Sequence, residues 1–256
     1  MRFMTDTIRL FVEAWKLIVG RLPAHIIEEA DGVVSCFGNV PPIFLNISIV
    51  GRPAGTHDEL RGLLNTAASH AATCHYPSAV LLREEWLPAG WAEVVNEAGL
   101  AKILSMTGME TDALIPPRRP PANLDIRRVV DDAMGRDLAE LNALAYGMPA
   151  NEFDCIANML LWHADSYAYV GYLGGKPVSC AAALPVGGTV YIALVATSPE
   201  AQGKGYAETV MRQAVIQGQQ AMGTTRTTLH ASDMGLPVYR AMGYRPGPTL
   251  VLVGPA

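Results

Sequence analysis

The chain has 256 residues, of which 50% are apolar and 17% are charged. That is enough for two domains of ordinary size, and the composition excludes a long disordered tract. The net charge of −5 argues against nucleic-acid binding, and no apolar run reaches the length of a membrane span. The four scattered cysteines (Cys36, Cys74, Cys155 and Cys180) predict reduced thiols in a cytoplasmic protein.

The first half predicts a helix followed by a mixture of strands and helices. Ile8, Phe11, Trp15 and Ile18 recur at helical spacing, which indicates a core-packing helix near the N-terminus. The elements that follow are a strand near residues 31–36, a strand over 44–50, a helix over 58–72, a strand over 78–83 and a short helix.

A proline-rich segment separates the two halves. Residues 115–121 read Ile-Pro-Pro-Arg-Arg-Pro-Pro, which cannot continue a helix or a central strand and favours an extended spacer. We therefore predict a first domain over residues 1–115, a linker over 116–123 and a second domain over 124–256. The order of elements is similar in both halves, and a Val-Ser-Cys sequence recurs at Cys36 and Cys180, which indicates a duplicated unit.

The second half predicts antiparallel hairpins followed by a strand-helix-strand crossover. Gly174-Gly175 and Gly187-Gly188 have the chemistry of hairpin turns. The predicted strands cover residues 125–129, 167–173, 178–184, 190–196, 226–232 and 249–253, and the predicted helices cover 131–145, 152–163, 205–220 and 236–242. The fold class is α+β, with a mostly antiparallel central sheet flanked by helices.

The loop before the helix at residues 205–220 has the features of an anion site. It follows an apolar strand and a Pro turn, and it reads Gln202-Gly203-Lys204-Gly205-Tyr206-Ala207. Unpaired N–H groups at a helix N-terminus attract phosphate, and glycines allow the phosphate to approach the backbone closely. This pattern predicts a phosphorylated cofactor beside the end of the strand. The alternative is a surface helix with a glycine-rich start and no ligand.

Two segments of the second half resemble the GCN5-related N-acetyltransferase (GNAT) superfamily. Residues 197–207 are similar to the family's V-x-P-x-x-R/Q-G-x-G-x-G/A segment, and residues 232–244 are similar to its N-x-x-A-x-x-x-Y-x-x-x-G-F/Y segment. The resemblance covers residues 124–253 and implies two GNAT-like mixed-sheet domains in tandem. The loop at 51–58 of the first half lacks the Q/R-x-x-G-x-G/A pattern, so that half is expected to be a degenerate copy without a second cofactor.

The resemblance implies acetyl-coenzyme A as the acetyl donor. The residues that would bind it form three groups: the loop with Gln202, Gly203, Lys204, Gly205, Tyr206 and Ala207 at the pyrophosphate, the strand edge with Val195, Ala196 and Thr197 along the pantetheine arm, and Ser232 where the family has an asparagine. A backbone N–H of the strand would polarise the thioester carbonyl. Ser232 has the alternative of capping the following helix.

Tyr239 lies where the family carries a tyrosine that protonates the departing thiolate. The alternative is a helix tyrosine that only packs. Residues 181–199 contain no Asp, Glu or His, so the carboxylate base that many members carry on this strand is absent. His230 ranks first among the remaining bases, ahead of Glu152, Asp154, His163, Asp165 and Asp233. The alternatives are that His230 is a partly buried histidine with only a local hydrogen bond, and that ordered water deprotonates the amine.

Residues 145–149 connect the first two helices of the second half, where acetyltransferases of this kind place a wall of the acceptor site; Tyr146 and Met148 lie on this connection, and Phe153 lies at the start of the second helix. They predict an apolar acceptor pocket or, alternatively, simple packing between helices. His70, Cys74 and His75 do not have zinc-ligand spacing, so no metal site is predicted.

These residues together predict transfer of acetyl from acetyl-coenzyme A to a primary amine of a small molecule, by direct attack in a ternary complex. The alternatives are a non-catalytic acyl-coenzyme A sensor, an acyltransferase with a longer acyl donor or an amino-acid acceptor, and a modifier of protein amines. The acceptor's identity and the oligomeric state stay open, with a homodimer as one option.

Overall fold

A computed structural model describes residues 7–157 and 166–256. The chain divides into two units. The first contains Met1–Gly108, Ala231–Leu236 and Pro246–Ala256, and the second contains Met109–His230 and Pro237–Arg245. Among the helices of the described ranges, none combines the length and the hydropathy needed to cross a bilayer.

The first unit is a sheet covered by helices on both faces. Its elements are α1 (Thr7–Val19), β1 (Ile26–Ala30), β2 (Val33–Phe37), β3 (Asn46–Val50), α2 (His57–Ala71), β4 (Ala79–Arg83), α3 (Trp91–Glu97), most of β5 (Leu100–Thr111) and most of β11 (Arg245–Pro255). The strand order is β1-β2-β3-β4-β11-β5. Phe11 of α1 packs on one face against Cys36 and Ile47, whereas Leu60 of α2 lies in the core of the opposite face. The predicted N-terminal helix is confirmed.

The second unit is a sheet in the order β6-β7-β8-β9-β10. Its elements are β6 (Asp125–Arg128), α4 (Asp132–Ala145), a 3₁₀ helix (Ala150–Ile156), β7 (Tyr167–Leu173), β8 (Lys176–Val186), β9 (Thr189–Thr197), α5 (Tyr206–Met222), most of β10 (Thr227–Ser232) and most of α6 (Leu236–Ala241). Successive strands pair antiparallel from β6 to β9, and β9 and β10 pair in parallel. A parallel pair needs a crossover connection, which α5 supplies. The mixed, mostly antiparallel sheet predicted from the sequence is confirmed.

The same succession of pairings occurs in both units. In the first unit β1, β2 and β3 pair antiparallel and β3 pairs in parallel with β4 after α2, as β7, β8, β9 and β10 do around α5. The hairpin before β2 turns at Asp31 and Gly32 (φ 51° and 86°), and the hairpin before β8 turns at Gly174 and Gly175 (φ 57° and 81°). Positive φ at both central residues defines the tight turn that suits twisted antiparallel strands. The structure therefore shows the repeated order of elements that the sequence indicated.

Four elements differ from the sequence-based predictions, and one of them is β1 (Ile26–Ala30), which was not predicted. The predicted helix at residues 152–163 is a 3₁₀ helix over Ala150–Ile156 with Ala157 as its C-cap, and residues 158–163 of the prediction lie outside the described residues. β5 was not predicted, because polar and apolar residues alternate weakly along it. The last strand, predicted within the domain at 124–256, pairs antiparallel with β4 and belongs to the first unit. The partner of such a strand depends on which edge of a sheet is available to it, and the local pattern of residues 246–256 does not indicate that partner.

Candidate functional site

The pairing of β8 with β9 is interrupted by a bulge. Cys180 pairs with Ala196 and Ala182 pairs with Ala193, so that Leu194 and Val195 together oppose one residue of β8. Leu194 has a φ of 53°, in the left-handed region that a branched side chain rarely adopts. Bulges of this kind bend a strand and redirect its backbone groups, and they are common next to active sites.

Beyond the bulge, β9 has a strand edge that can receive an extended ligand. The parallel register of β9 and β10 runs from Val190 with Thr227 to Ile192 with Leu229, and within the described residues it ends there. β9 continues to Thr197 while its other edge stays paired with β8. An unpaired edge offers backbone donors and acceptors to an extended molecule, as it would to another strand. This edge contains Val195, Ala196 and Thr197, which the family resemblance predicts to lie along the pantetheine arm.

The loop between β9 and α5 presents backbone to open space. Gly203 and Gly205 have φ values of 75° and 80°, and a Cβ built on either residue would meet no other atom within 4 Å. Both positions favour glycine because of their backbone conformation, and both stay accessible to a ligand. Gly205 is the N-cap residue of α5. Because glycine has no side chain, this residue places no hydrogen-bonding group at the helix N-terminus. The positive end of the helix dipole is therefore open to an anion.

The polar side chains around this loop bond within the loop and its helix. The Lys204 ammonium donates to the carbonyl oxygen of Glu200 at 3.0 Å, and the Gln202 amide donates weakly to the carbonyl of Thr197 at 3.5 Å. Glu208 lies in the first turn of α5, where its charge opposes anion binding, but it accepts two hydrogen bonds from Arg212 at 2.7 and 2.9 Å. The pairing offsets the negative charge next to the loop.

The corresponding helix of the first unit is capped by its own side chains. The Glu59 carboxylate accepts hydrogen bonds from the backbone N–H groups of Gly55 at 2.7 Å and Thr56 at 3.1 Å, and the Thr56 hydroxyl accepts one from Glu59 N at 3.2 Å. This capping box fills the N-terminus of α2 with a carboxylate. A phosphate would have to displace that carboxylate, whereas at α5 it meets no such group.

Tyr239 is a buried phenol at the end of α6. Only 9% of the residue is exposed, and its ring meets the edge of Tyr244 with 6.0 Å between the centroids. Burial raises the pKa of Tyr239 above its ordinary value of 10, and the nearby Tyr146 hydroxyl raises it further. The phenol therefore stays protonated at neutral and mildly alkaline pH, as a proton donor must.

Two of the three predicted acceptor-site residues come together as an aromatic pair. The Tyr146 and Phe153 rings stack with 6.2 Å between centroids and 4° between planes. Phe153 is buried, whereas Tyr146 is 51% exposed, and protein around the Tyr146 hydroxyl raises its pKa. Tyr146 also raises the pKa of Tyr239. Met148 is half-buried, and its N–H bonds the carbonyl of Ala143.

His230 is bound to a second buried tyrosine. Its Nδ1 lies 2.8 Å from the hydroxyl of Tyr191, and either ring tautomer can complete that hydrogen bond. The residue keeps a partly exposed surface, but burial of the imidazole lowers the pKa of His230 to about 3. The imidazole is thus neutral at pH 7 and can accept a proton, although a group with so low a pKa is a weak base.

The low pKa of His230 makes stability depend on pH. The unfolded imidazole, with an ordinary pKa of 6.5, binds a proton in the range where the folded one does not. The contribution of His230 to the free energy of unfolding is therefore complete above about pH 6.5 and falls as the pH drops towards 3. We expect the stability difference between wild type and His230→Gln in urea unfolding to shrink from pH 7.5 to pH 5. A difference that stays constant over this pH range would contradict the assignment.

The other predicted polar residues are dispersed. Ser232 ends β10, and its carbonyl accepts the N–H of Gly235. Since α6 begins only at Leu236, capping of that helix by Ser232 is not supported. Within the first unit, Ser232 and Asp233 line an open cavity of about 390 Å³ with Lys102, Ser105 and Met234. Glu152 and Asp154 lie on the 3₁₀ helix, and His163 and Asp165 lie outside the described residues.

Comparisons with known proteins agree with this geometry. Residues 136–244 match the acetyltransferase (GNAT) family model. Solved structures similar to the whole chain include a GCN5-related N-acetyltransferase from Kribbella flavida (21% identity, 99% of this chain and 96% of that chain, TM-score 0.69). Another is a tandem GNAT protein from the clavulanic acid biosynthesis pathway (11% identity, 97% and 94%, TM-score 0.58). At these identities the likeness shows a shared fold. A search of curated protein sequences found no significant match.

Proposed function

Because residues 136–244 form a domain of the acetyltransferase (GNAT) family, we propose that this protein transfers acetyl from acetyl-coenzyme A to a primary amine of a small molecule. Membership of the family supports acyl-coenzyme A-dependent acetyl transfer in general. The observation that carries the proposal is the continuous stretch from Leu194 to Tyr206, in which a bulged strand with an open edge leads into an uncapped, glycine-rich helix N-terminus.

This stretch fits the donor along its length. The backbone N–H groups of residues 203–207 would bind the pyrophosphate at the N-terminus of α5. The edge of Val195, Ala196 and Thr197 would pair with the amides of the pantetheine arm. The thioester would then lie at the bulge, where a backbone N–H can bond its carbonyl oxygen and stabilise the negative charge that develops on it.

The reaction that follows is a direct displacement. The amine nitrogen attacks the thioester carbon, the new C–N bond forms, and the C–S bond breaks as electrons move to sulfur. Tyr239 donates its proton to the departing thiolate, and Tyr146 and Phe153 form an apolar wall for the acceptor. The amine loses its proton to His230 or to ordered water. The low pKa of His230 favours water as the route.

One donor site per chain follows from the contrast between the two helix N-termini. At α5 the N-terminus is open, whereas at α2 the Glu59 carboxylate occupies it. We infer that the first unit is a degenerate copy that does not bind coenzyme A.

Calorimetric titration followed by an activity screen tests the proposal. We expect coenzyme A and acetyl-coenzyme A to bind with micromolar Kd and a stoichiometry of one per chain. Thiol release from acetyl-coenzyme A should then depend on an added amine from a panel of small primary amines. The absence of binding would contradict the donor assignment, and a stoichiometry of two would contradict the degenerate first unit.

A second function is favoured by one observation, the absence of Asp, Glu and His from residues 181–199. A protein without a base on that strand could bind acyl-coenzyme A as a sensor and not turn it over. Binding without amine-dependent thiol release, over a panel that includes amino acids and lysine peptides, would support the sensor. Release with longer acyl donors or with peptides only would change the proposed substrates and leave the chemistry intact.

A further inference from the structure

A buried chain of hydrogen bonds connects α4 with the bulge of β9. The side-chain amide nitrogen Nδ2 of Asn142 donates to the carbonyl oxygen of Leu138 at 2.9 Å and to Sγ of Cys180 at 3.4 Å. The Cys180 thiol in turn donates to the carbonyl oxygen of Leu194 at 3.4 Å. Asn142 and Cys180 are both 0% exposed, so water does not compete for these bonds.

This series of hydrogen bonds ends at Leu194, the residue of the bulge that has a positive φ. A leucine at a φ of 53° lies in the left-handed region that residues with a Cβ disfavour, and the surrounding structure has to hold it there. Cys180 does so from both sides of Val195, because its sulfur bonds the carbonyl of Leu194 and the residue itself pairs with Ala196 in the sheet.

The thiol form of Cys180 is the one that can hold the bulge. Burial raises the pKa of Cys180 to about 12, although hydrogen bonds from Ala196 and Asn142 act in the opposite direction. At neutral pH the sulfur therefore carries the proton that it donates to Leu194. A buried thiol of this kind is a poor nucleophile, which leaves a structural connection and not covalent catalysis as its role.

We propose that Cys180 and Asn142 are positioning residues for acetyl transfer, which hold the β9 bulge so that its backbone N–H meets the thioester carbonyl oxygen. This inference rests on the proposed function and specifies how the second unit supports it. An oxyanion donor works only when it is preorganised at the position where charge develops, and an error of about 1 Å can reduce the rate as much as 100-fold.

Infrared spectroscopy of bound acetyl-coenzyme A, labelled with ¹³C at the thioester carbonyl, measures this contact directly. A hydrogen bond to the carbonyl lowers its stretching frequency. In Cys180→Ala we expect the band to move back towards its frequency in a solvent without hydrogen-bond donors, and kcat with a substrate amine to fall about tenfold while KM for acetyl-coenzyme A stays within about threefold. Cys180→Ser, which keeps a donor on a shorter side chain, should restore part of both.

Cys36→Ala is the matched control. Cys36 is also 0% exposed, burial also raises its pKa to about 12, and it packs in the core of the first unit against Ile47. Its replacement should lower the melting temperature and leave the carbonyl band and kcat unchanged. Asn142→Leu is a second test that is expected to fold, because Oδ1 of Asn142 is buried without a hydrogen-bond partner and leucine removes that unsatisfied atom.

The outcomes separate the two proposals. An unchanged carbonyl band in both Cys180→Ala and Asn142→Leu, with acetyl-coenzyme A bound, would overturn the positioning role and leave the donor site intact. Failure of the wild-type protein to bind acetyl-coenzyme A would overturn the proposed function itself. A band that moves equally in Cys36→Ala would show a general loss of rigidity and would also overturn the specific role of Cys180.

Discussion

Gly205→Glu should weaken acetyl-coenzyme A binding at least 100-fold. The new side chain would start at the N-cap of α5, where a carboxylate can accept the N–H groups that the pyrophosphate would otherwise use. The variant would thus resemble α2, whose N-terminus is already filled by Glu59. Repulsion between the carboxylate and the phosphates adds to this competition, and a 100-fold loss corresponds to about 2.8 kcal/mol of binding free energy.

A control has to separate this competition from the strain of a side chain at positive φ. Gly188 has a φ of 73°, and a Cβ there would also meet no atom within 4 Å. Its carbonyl accepts a hydrogen bond from Thr224, just beyond the C-terminus of α5, which puts the length of the helix between Gly188 and Gly205. Gly188→Glu should therefore lose stability to a similar extent and keep its Kd for acetyl-coenzyme A, measured by calorimetry. Equal Kd values for Gly205→Glu and wild type would contradict the phosphate site.

The conformation of the loop that we propose to bind the donor was predictable because its signals are local. The spacing of apolar residues through Val210, Met211, Ala214 and Val215 predicts α5, and all four are buried in the structure. The glycines at 203 and 205 predicted a loop that needs positive φ, and both have it. Short-range sequence patterns report backbone conformation directly, so this part of the site could be read before the fold was known.

The bulge in β9, and the contacts of Asn142 and Cys180 next to it, could not be predicted in the same way. Leucine strongly disfavours positive φ, so no residue pattern marks Leu194; only the register of β8 and β9 reveals the extra residue there. Asn142 left a weak signal, since it is a polar residue beside the buried Leu138 and Leu141 of α4. Its partner Cys180 is 38 residues away along the chain, and contacts at that separation depend on the fold.

The role proposed for Tyr239 leads to the second large effect, a fall in kcat of about 100-fold in Tyr239→Phe. General acids contribute roughly 100- to 10,000-fold, and a thiolate leaves readily because thiols have an ordinary pKa of about 8.5, which favours the lower end. Since burial and Tyr146 hold the pKa of Tyr239 above 10, wild-type kcat should not decrease between pH 7 and pH 9.5 through loss of this proton. The Kd for acetyl-coenzyme A should stay within about threefold, because the phenol acts on the departing sulfur and not on the phosphates.

Tyr244→Phe distinguishes acid catalysis from packing. Tyr244 is also buried, its ring packs against Tyr239, and burial raises its pKa, but its hydroxyl is bonded to that of Thr227 at 2.9 Å. Removing that hydroxyl leaves Thr227 unpaired and should lower the free energy of unfolding by about 1–3 kcal/mol, with kcat within about threefold of wild type. If Tyr239→Phe instead behaves like Tyr244→Phe, losing stability and keeping its rate from pH 6 to pH 9.5, then Tyr239 only packs and the departing thiolate takes its proton from water.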